Sequence, residues 1–459
     1  MKTASGKTSF FLLISSLALA PLTVSANTLL DIYELALVND AQLKADQAAR
    51  DAGLEYRYLS RANLLPQINA TANYRKTESD TRDRLTPGPA RNSDRTQTGW
   101  AISLDQPLFN MSSWYSYQQG IKLSEQAEAQ FGADQQSLIV RVADAYFNVL
   151  RAIDTLEANI AEENALSHQL EQTRQRFEVG LTAITEVHEA QAAYDSASAA
   201  TLEARGNLGI AYEALEVLTG QPHDQVAPLS SHFPVVAPVP ADRHQWVEFS
   251  LQNNYNLKAS RLNADAAGET AKGARAGHLP TISASLSYND NIEDGYQVGS
   301  PFDNRTDGTS VGINLNLPLY SGGGTSSRSR QAYARFTEAQ ELYNNTQRNV
   351  IQSARALHLS VETGVAQVNA RKQAIVSSQS ALEATRSGYE VGTRNLVEVL
   401  QAERQLYQAR RNYATALYDY IINTIRLREV AGMLTPGDVQ EIDRWLDAQA
   451  PVQRSEYVQ

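Results

Sequence analysis

The sequence predicts a mainly α-helical protein with a membrane β-barrel portion, built from two copies of one unit. Three observations support this fold class: a repeated sequence pattern, two long segments without proline, and four short segments in which apolar and polar residues alternate. The first predicts the domain organisation, the second predicts long helices and the third predicts strands.

The internal repeat is clearest where residues 177–181 read FEVGL and residues 389–393 read YEVGT. Upstream, LPQI at 65–68 matches LPTI at 279–282. A repeat of this length predicts one structural unit over 27–221 and a second over 242–433. The linker is then 222–241. Residues 434–459 are expected to form a short helix, reaching about Leu446, and a flexible tail, and to lie with the linker in an equatorial collar.

The first 26 residues have the features of an export signal, which indicates that the protein leaves the cytoplasm. Lys2 and Lys7 precede an apolar run, and VSA at 24–26 supplies small residues before a cleavage site at Asn27. The chain has no cysteine, so a disulfide framework is not available. Its formal net charge of −11 argues against a general nucleic-acid binder.

Two helical hairpins are predicted over 108–221 and 319–433. All 15 prolines lie outside these segments, and apolar residues recur within them at alternating steps of three and four. The first helix, from about residue 112 to 177, reaches roughly 100 Å at about 1.5 Å per residue. Because no single globular core accommodates that length, a solvent-exposed coiled-coil stalk is the alternative to a membrane-associated structure.

Strand hairpins are predicted at about 66–107 and 280–318, with residues 79–96 as a polar loop in the first. Apolar side chains alternate with polar ones over about nine residues in each strand, and aromatic residues lie near the strand ends at Tyr74, Trp100 and Tyr288. A half-buried soluble sheet gives the same alternation, but length and export together favour strands of the outer membrane. Four strands cannot close a barrel, so other copies of the chain must complete it.

These features together make the sequence similar to the TolC family of outer-membrane efflux channels. The residues that carry the resemblance include LYSGG at 319–323 and GTRNLVEVL at 392–400. The resemblance covers nearly the whole mature chain. It implies a homotrimer in which each protomer gives four strands to a twelve-stranded barrel, continued by a long α-helical tunnel across the periplasm.

The resemblance also implies a function as an exit duct for drugs, small molecules or proteins, in a tripartite efflux pump or a type I secretion system. The implied partners are a periplasmic adaptor, an inner-membrane pump of RND, ABC or MFS type, and outer-membrane lipid. The competing class is a structural or adhesive surface coiled coil, which needs no pore.

A periplasmic gate is implied by residues that match family positions. Tyr389 and Arg394 match the gate tyrosine and arginine, and Thr185 and Glu186 match the polar pair on the neighbouring inner helix. An arginine facing a carboxylate can form a directional link, which an adaptor would break to untwist the helices. The alternative is that these charges only solvate the helix ends.

The resemblance further implies a cation-selective ring and adaptor-contacting tips. Glu398 matches one acidic position at the inner entrance, but Gln401 replaces the acid of a second, so a weaker cation preference is expected. The tip residues are Val179, Gly180, Leu181, Val391, Gly392 and Thr393.

An enzyme, a cofactor site and a metal site are not predicted. The seven histidines form no pair with metal-ligand spacing, and no catalytic triad or carboxylate pair emerges. The glycines at 322–324 lack the Gly-Lys-Ser/Thr that follows in a phosphate loop, so they are interpreted as a corner between a strand and a helix.

Overall fold

The computed structural model describes residues 27–82, 91–297 and 300–456, and the predicted export signal lies outside them. The helices are α1 (Leu29–Asn39), α2 (Ala41–Leu54), α3 (Tyr56–Ala62), α4 (Met111–Glu178), α5 (Ile184–Thr219), α6 (Arg243–Asn253), α7 (Tyr255–Ala276), α8 (Gly324–Glu390), α9 (Leu396–Val430) and α10 (Pro436–Asp443). The strands are β1 (Gln67–Thr81), β2 (Arg91–Phe109), β3 (Gln225–Val226), β4 (Thr281–Gln297), β5 (Ser300–Asn316) and β6 (Val452–Gln453).

The two long hairpins predicted from the absence of proline are present as α4–α5 and α8–α9. Helix α4 has 68 residues and α8 has 67, so each extends about 100 Å. Asn110 caps α4, because its side-chain oxygen accepts a hydrogen bond from Ser113 N at 3.1 Å. Among the described residues, no helix has a stretch long and apolar enough to cross a membrane.

Shorter helices complete the packing of the long ones, and the sequence pattern did not reveal them. Helix α5 covers only the half of α4 that ends at the Val-Gly turn, while α2, α3 and α7 pack on the other half. Helices α9 and α7 divide α8 in the same way. Each long helix therefore has packing partners on both of its halves, which a single hairpin partner could not provide. Helix α8 still exposes Leu342, Leu359 and Val376.

The strands form one antiparallel sheet in the order β1-β2-β4-β5, and they are longer than predicted. The polar loop expected over 79–96 is largely wrong, because the β1–β2 ladder continues from the Gln67–Asp105 pair to the Thr81–Arg91 pair. The physical reason is that backbone pairing does not require apolar side chains. The polar sequence marks where the apolar face of the sheet ends, while the ladder extends beyond it.

The apolar face occupies the half of the sheet next to the helices. Ile68, Leu104, Leu286 and Val311 lie opposite one another across the four strands, so they share one face. The rings of Trp100 and Tyr288 meet on that face, with centroids 5.2 Å apart. The same face carries an ion pair beside these rings: Asp290 lies opposite Trp100, and Arg305, two residues farther from the helices, contacts it at 2.8 Å. The apolar band therefore has an aromatic and then a charged boundary, as at a membrane interface.

The linker and the C-terminal stretch meet at the middle of the long helices. Strand β3 pairs with β6, and Leu229 bridges to Leu446. Residues 452–453 thus form a strand where the sequence suggested a flexible tail, and α10 ends at Asp443 rather than near Leu446. Tyr146 of α4 is fully buried there, and its hydroxyl donates to Ala227 O at 2.8 Å.

Helices α4 and α9 are joined across the two repeats by polar contacts as well as by apolar packing. Arg411 donates to Asn159 Oδ1 and Glu162 Oε2, both at 2.7 Å. Near the apolar core, the Tyr418 hydroxyl donates to Asp154 Oδ2 at 2.8 Å. Burial raises the pKa of Asp154 to about 6, although the tyrosine hydrogen bond acts in the opposite direction. Asp154 therefore favours the folded state most when it is protonated.

We expect Asp154→Asn to change how stability depends on pH. The folded state holds the Asp154 proton more tightly than the unfolded state, so this group loses its stabilising contribution as pH rises from about 4 through about 6. Asparagine stays neutral and still offers an oxygen to Tyr418. The variant should be more stable than wild type at pH 7, by up to about 2–3 kcal/mol, and its free energy of unfolding should depend less on pH between pH 4 and 6.

Denaturant unfolding across this range measures both effects. The matched control is Asp195→Asn, at an exposed site on α5, and equal profiles for wild type and Asp154→Asn would contradict the assignment.

Candidate functional site

The two Val-Gly turns close the helical hairpins at the end of the molecule farthest from the sheet. Gly180 and Gly392 have φ values of 77° and 79°, a left-handed conformation that favours glycine. The carbonyl of Arg176 accepts from Leu181 N at 2.8 Å, and the carbonyl of Gly388 accepts from Thr393 N at the same distance. The repeated sequence therefore produces the same turn twice.

All six predicted tip residues lie at these turns with exposed surfaces. Val179, Leu181 and Val391 are large apolar residues with 70%, 70% and 74% of their surfaces exposed. Three apolar side chains open to solvent at one end of a long polar rod form a surface suited to contact with another protein.

The ends of the two hairpins are held together by a small apolar cluster. It includes residues from all four long helices, so the tips of the two repeats are adjacent in space. Its buried members are Leu166, Leu170, Ala190, Ala193, Ala197, Tyr389, Leu396, Val399 and Leu400.

Tyr389 and Glu186 are the two expected gate residues that the structure brings together. The Tyr389 hydroxyl donates to Glu186 Oε2 at 3.3 Å, which joins α8 of the second hairpin to α5 of the first. Tyr389 is only 9% exposed. Burial, and secondarily the Glu186 charge, raise the pKa of Tyr389, so its hydroxyl remains a donor throughout the physiological pH range.

Arg394 and Thr185 do not join this pair within one chain. Arg394, in the turn just before α9, instead contacts Glu398 in the first turn of that helix, with Nη1 2.7 Å from Oε2. Asn395 caps α9 by accepting from Glu398 N at 3.0 Å, and its amide donates to Glu398 Oε1 at 3.0 Å. Thr185 is exposed at the start of α5. The carboxylate expected to form an acidic ring is thus partly neutralised by the arginine expected to form the gate.

Sequence reasoning missed two arginines near this site. The Arg176 guanidinium lies over the Tyr389 ring, 5.0 Å from its centroid. Arg386 of α8 contacts Glu403 of α9 at 2.5 Å, and Glu403 has no exposed surface. A signal for Arg176 was present in the repeat, since the equivalent position in the second half is Gly388. A charged residue without a repeat counterpart marks a place where the two tips differ.

A metal centre is not evident in the part of the chain that the structure describes, where no group of three or more His, Asp or Glu side chains converges. The glycines at 322–324 form the corner that leads into α8, with positive φ values at Gly322 and Gly323.

Comparison with known proteins gives consistent matches over both repeats. The family described as outer membrane efflux protein matches residues 32–221 and 246–433. The chain is 39% identical to outer membrane protein TolC of Vibrio cholerae, over 92% of this chain and 94% of the relative. It is 32% identical to the proteases secretion protein PrtF of Dickeya chrysanthemi, over 96% of each. The crystal structure of the outer membrane protein VceC from Vibrio cholerae superposes with a TM-score of 0.73 at 21% identity, covering 88% of this chain and 96% of VceC.

Proposed function

The chain belongs to the outer membrane efflux protein family, and from this membership we propose that it is the outer-membrane exit duct of an efflux or type I secretion system. The observation that carries the proposal is the Tyr389–Glu186 contact, which joins two hairpins at the far end of helices about 100 Å long. A link at this position suits a closable entrance. A passive duct also needs no catalytic site, and energy for transport comes from its partners.

A homotrimer supplies the closed wall that such a duct requires. The edge strands of the sheet are β1 and β5. Pairing β5 of one copy with β1 of the next would satisfy both edges, and three copies give the twelve strands of the family barrel. The helices follow the same order, since α4 and α9 pack on each other while α5 and α8 lie on the outside of the set.

The entrance opens, in this proposal, when the hairpins separate and untwist. Arg394 then has two alternative acceptors, Glu186 of a neighbouring copy and Glu398 in the first turn of α9 of its own chain. Its contact with Glu398 in the isolated chain supports the second as the arrangement available when no neighbour is present. The three Glu398 side chains of a trimer act as an acidic ring only to the extent that Arg394 contacts another carboxylate instead.

The partners that fit the exposed tips are a periplasmic adaptor and, through it, an inner-membrane pump of RND, ABC or MFS type. Val179, Leu181 and Val391 provide the apolar contact surface. The relative PrtF is a protease secretion protein, which supports protein cargo as well as small molecules.

The central test is ion conduction by the purified protein in planar bilayers. Wild type should behave as a trimer with low conductance, and Tyr389→Phe should raise the conductance several-fold because it removes the donor to the Glu186 carboxylate, a link of about 1–2 kcal/mol per copy. Tyr194→Phe is the matched control, since Tyr194 packs against the same apolar cluster. A protein that never conducts would indicate an adhesive stalk, and a conducting protein unaffected by Tyr389→Phe would leave the gate assignment without support.

Ion selectivity should depend on the balance between Arg394 and Glu398. We expect a modest preference for cations in wild type, a larger preference in Arg394→Gln, where Glu398 is no longer neutralised, and a smaller one in Glu398→Gln. Reversal potentials in a KCl gradient measure these differences. Glu390→Gln, which removes an exposed acid beside the turn, is the control. Anion selectivity in wild type, or identical reversal potentials for all variants, would rule out the ring.

Contact between the tips and the adaptor can be tested with single cysteines, because the chain has none of its own. Leu181→Cys should form a disulfide with a cysteine at the hairpin tip of an adaptor that copurifies with the duct. Ser79→Cys, exposed at the opposite end in β1, should not. Equal crosslinking at both positions, or none at Leu181, would count against tip-to-tip docking.

A further inference from the structure

We infer that Arg176 is a positioning residue of the entrance: its guanidinium holds the Tyr389 ring in the orientation that lets the hydroxyl reach Glu186. This inference rests on the proposed function and adds a third member to the Tyr389–Glu186 pair. The three residues come from α4, α8 and α5, so the contact joins both hairpins.

The position of Arg176 is fixed by its backbone. It lies in the last turn of α4, and its carbonyl closes the turn by accepting from Leu181 N at 2.8 Å. A cation near a helix C-terminus interacts favourably with the helix dipole, and this alone would give Arg176 a purely local role. The side chain, however, lies over the Tyr389 ring of the other repeat, with 5.0 Å between the guanidinium carbon and the ring centroid.

The surroundings of the guanidinium indicate that the ring is its main partner. Arg176 Nε is shielded from solvent and has no hydrogen-bond partner within the described parts of the chain. A guanidinium that has lost water on one side gains most from the negative face of an aromatic ring. Such a contact contributes more when desolvated than at an exposed surface, so it restrains the ring.

The Tyr389 ring needs this restraint because the packing beside it is incomplete. A cavity of about 350 Å³ borders Tyr389 and Arg176, and Arg386 and His168 are among its other lining residues. Without the guanidinium, the ring has space to rotate away from Glu186. The hydroxyl–carboxylate distance of 3.3 Å is already long, so a small rotation is enough to break the link.

Electrostatics act in the same direction as the packing. The positive charge of Arg176 tends to lower the pKa of Tyr389, while burial and Glu186 raise it. The phenol therefore remains protonated, and the nearby cation polarises its O–H bond toward donation. Arg176 also places a positive charge near Glu186 without forming a direct ion pair that would replace the tyrosine.

The repeat equivalents explain why the two described tips carry one such link between them and not two. Position 388 is glycine where the first half has Arg176, and Phe177 stands where the second half has Tyr389. The reciprocal pair would be Phe177 with Glu398, and phenylalanine has no hydroxyl to donate. The cation, Arg176, and the hydroxyl donor, Tyr389, therefore occur together at one contact.

The test compares single-channel conductance of purified trimers carrying Arg176→Gln, Arg176→Lys, Tyr389→Phe and the double variant Arg176→Gln/Tyr389→Phe. We expect Arg176→Gln to reproduce at least half of the conductance increase caused by Tyr389→Phe, and to add nothing in the Tyr389→Phe background, because it acts through the same hydroxyl. Arg176→Lys keeps the charge and should lie between wild type and Arg176→Gln.

Arg174→Gln is the matched control, because Arg174 lies on the same helix but contacts Gln191 within its own hairpin, at 2.5 Å. Wild-type conductance in Arg176→Gln, or an increase that is fully additive with Tyr389→Phe, would overturn the inference. If Arg176→Gln does not assemble, Arg176→Lys decides: raised conductance supports the role, and wild-type conductance overturns it. A wild-type trimer that does not conduct refutes the proposed function instead, so the two failures are distinguishable.

Discussion

Backbone pairing at the two free edges of the sheet is the constraint on which the rest of the architecture depends. Strands β1 and β5 each present a row of N–H and C=O groups, and lipid offers them no hydrogen bonds. A neighbouring copy can satisfy both rows, which arranges the chains in a ring. The helices that continue from these strands then form a ring as well, so one requirement in the membrane determines a closed wall far from it.

The second principle is duplication followed by divergence at a few positions. Each repeat supplies two strands, one very long helix and a shorter partner, and the two turns have nearly the same backbone. Tyr389 and Phe177 are equivalent positions, as are Glu186 and Glu398. Both carboxylates were retained, but only one faces a hydroxyl, and the other binds Arg394. Identical scaffolds therefore carry a link on one side and a charge pair on the other.

The sequence could predict the features that depend on local pattern. Absence of proline and heptad spacing located α4 to within a residue or two and placed α8 inside the predicted hairpin over 319–433, because a long helix leaves that pattern at every turn. Strand ends and short helices were poorly predicted, because the polar half of β2 and the sequence of α2 have no distinctive alternation of apolar and polar residues. At the site, Tyr389 and Glu186 could be identified by resemblance. The contact of Arg394 with Glu398 and the position of Arg176 over the Tyr389 ring depend on side-chain geometry in three dimensions. Periodicity along the sequence does not report that geometry.

In the proposed gate, weak contacts at the entrance are an advantage, because a partner protein can break them by binding. The hydrogen bond from Tyr389 to the Glu186 carboxylate is long, at 3.3 Å, and contributes about 1–2 kcal/mol. An exposed ion pair between Arg394 and Glu186 of a neighbouring copy would contribute up to about 1 kcal/mol. Three copies of each give a few kcal/mol in total, which is similar to the roughly 5.5 kcal/mol that shifts a two-state equilibrium from almost fully closed to almost fully open. An adaptor that binds the open form preferentially can supply this difference through its contacts alone.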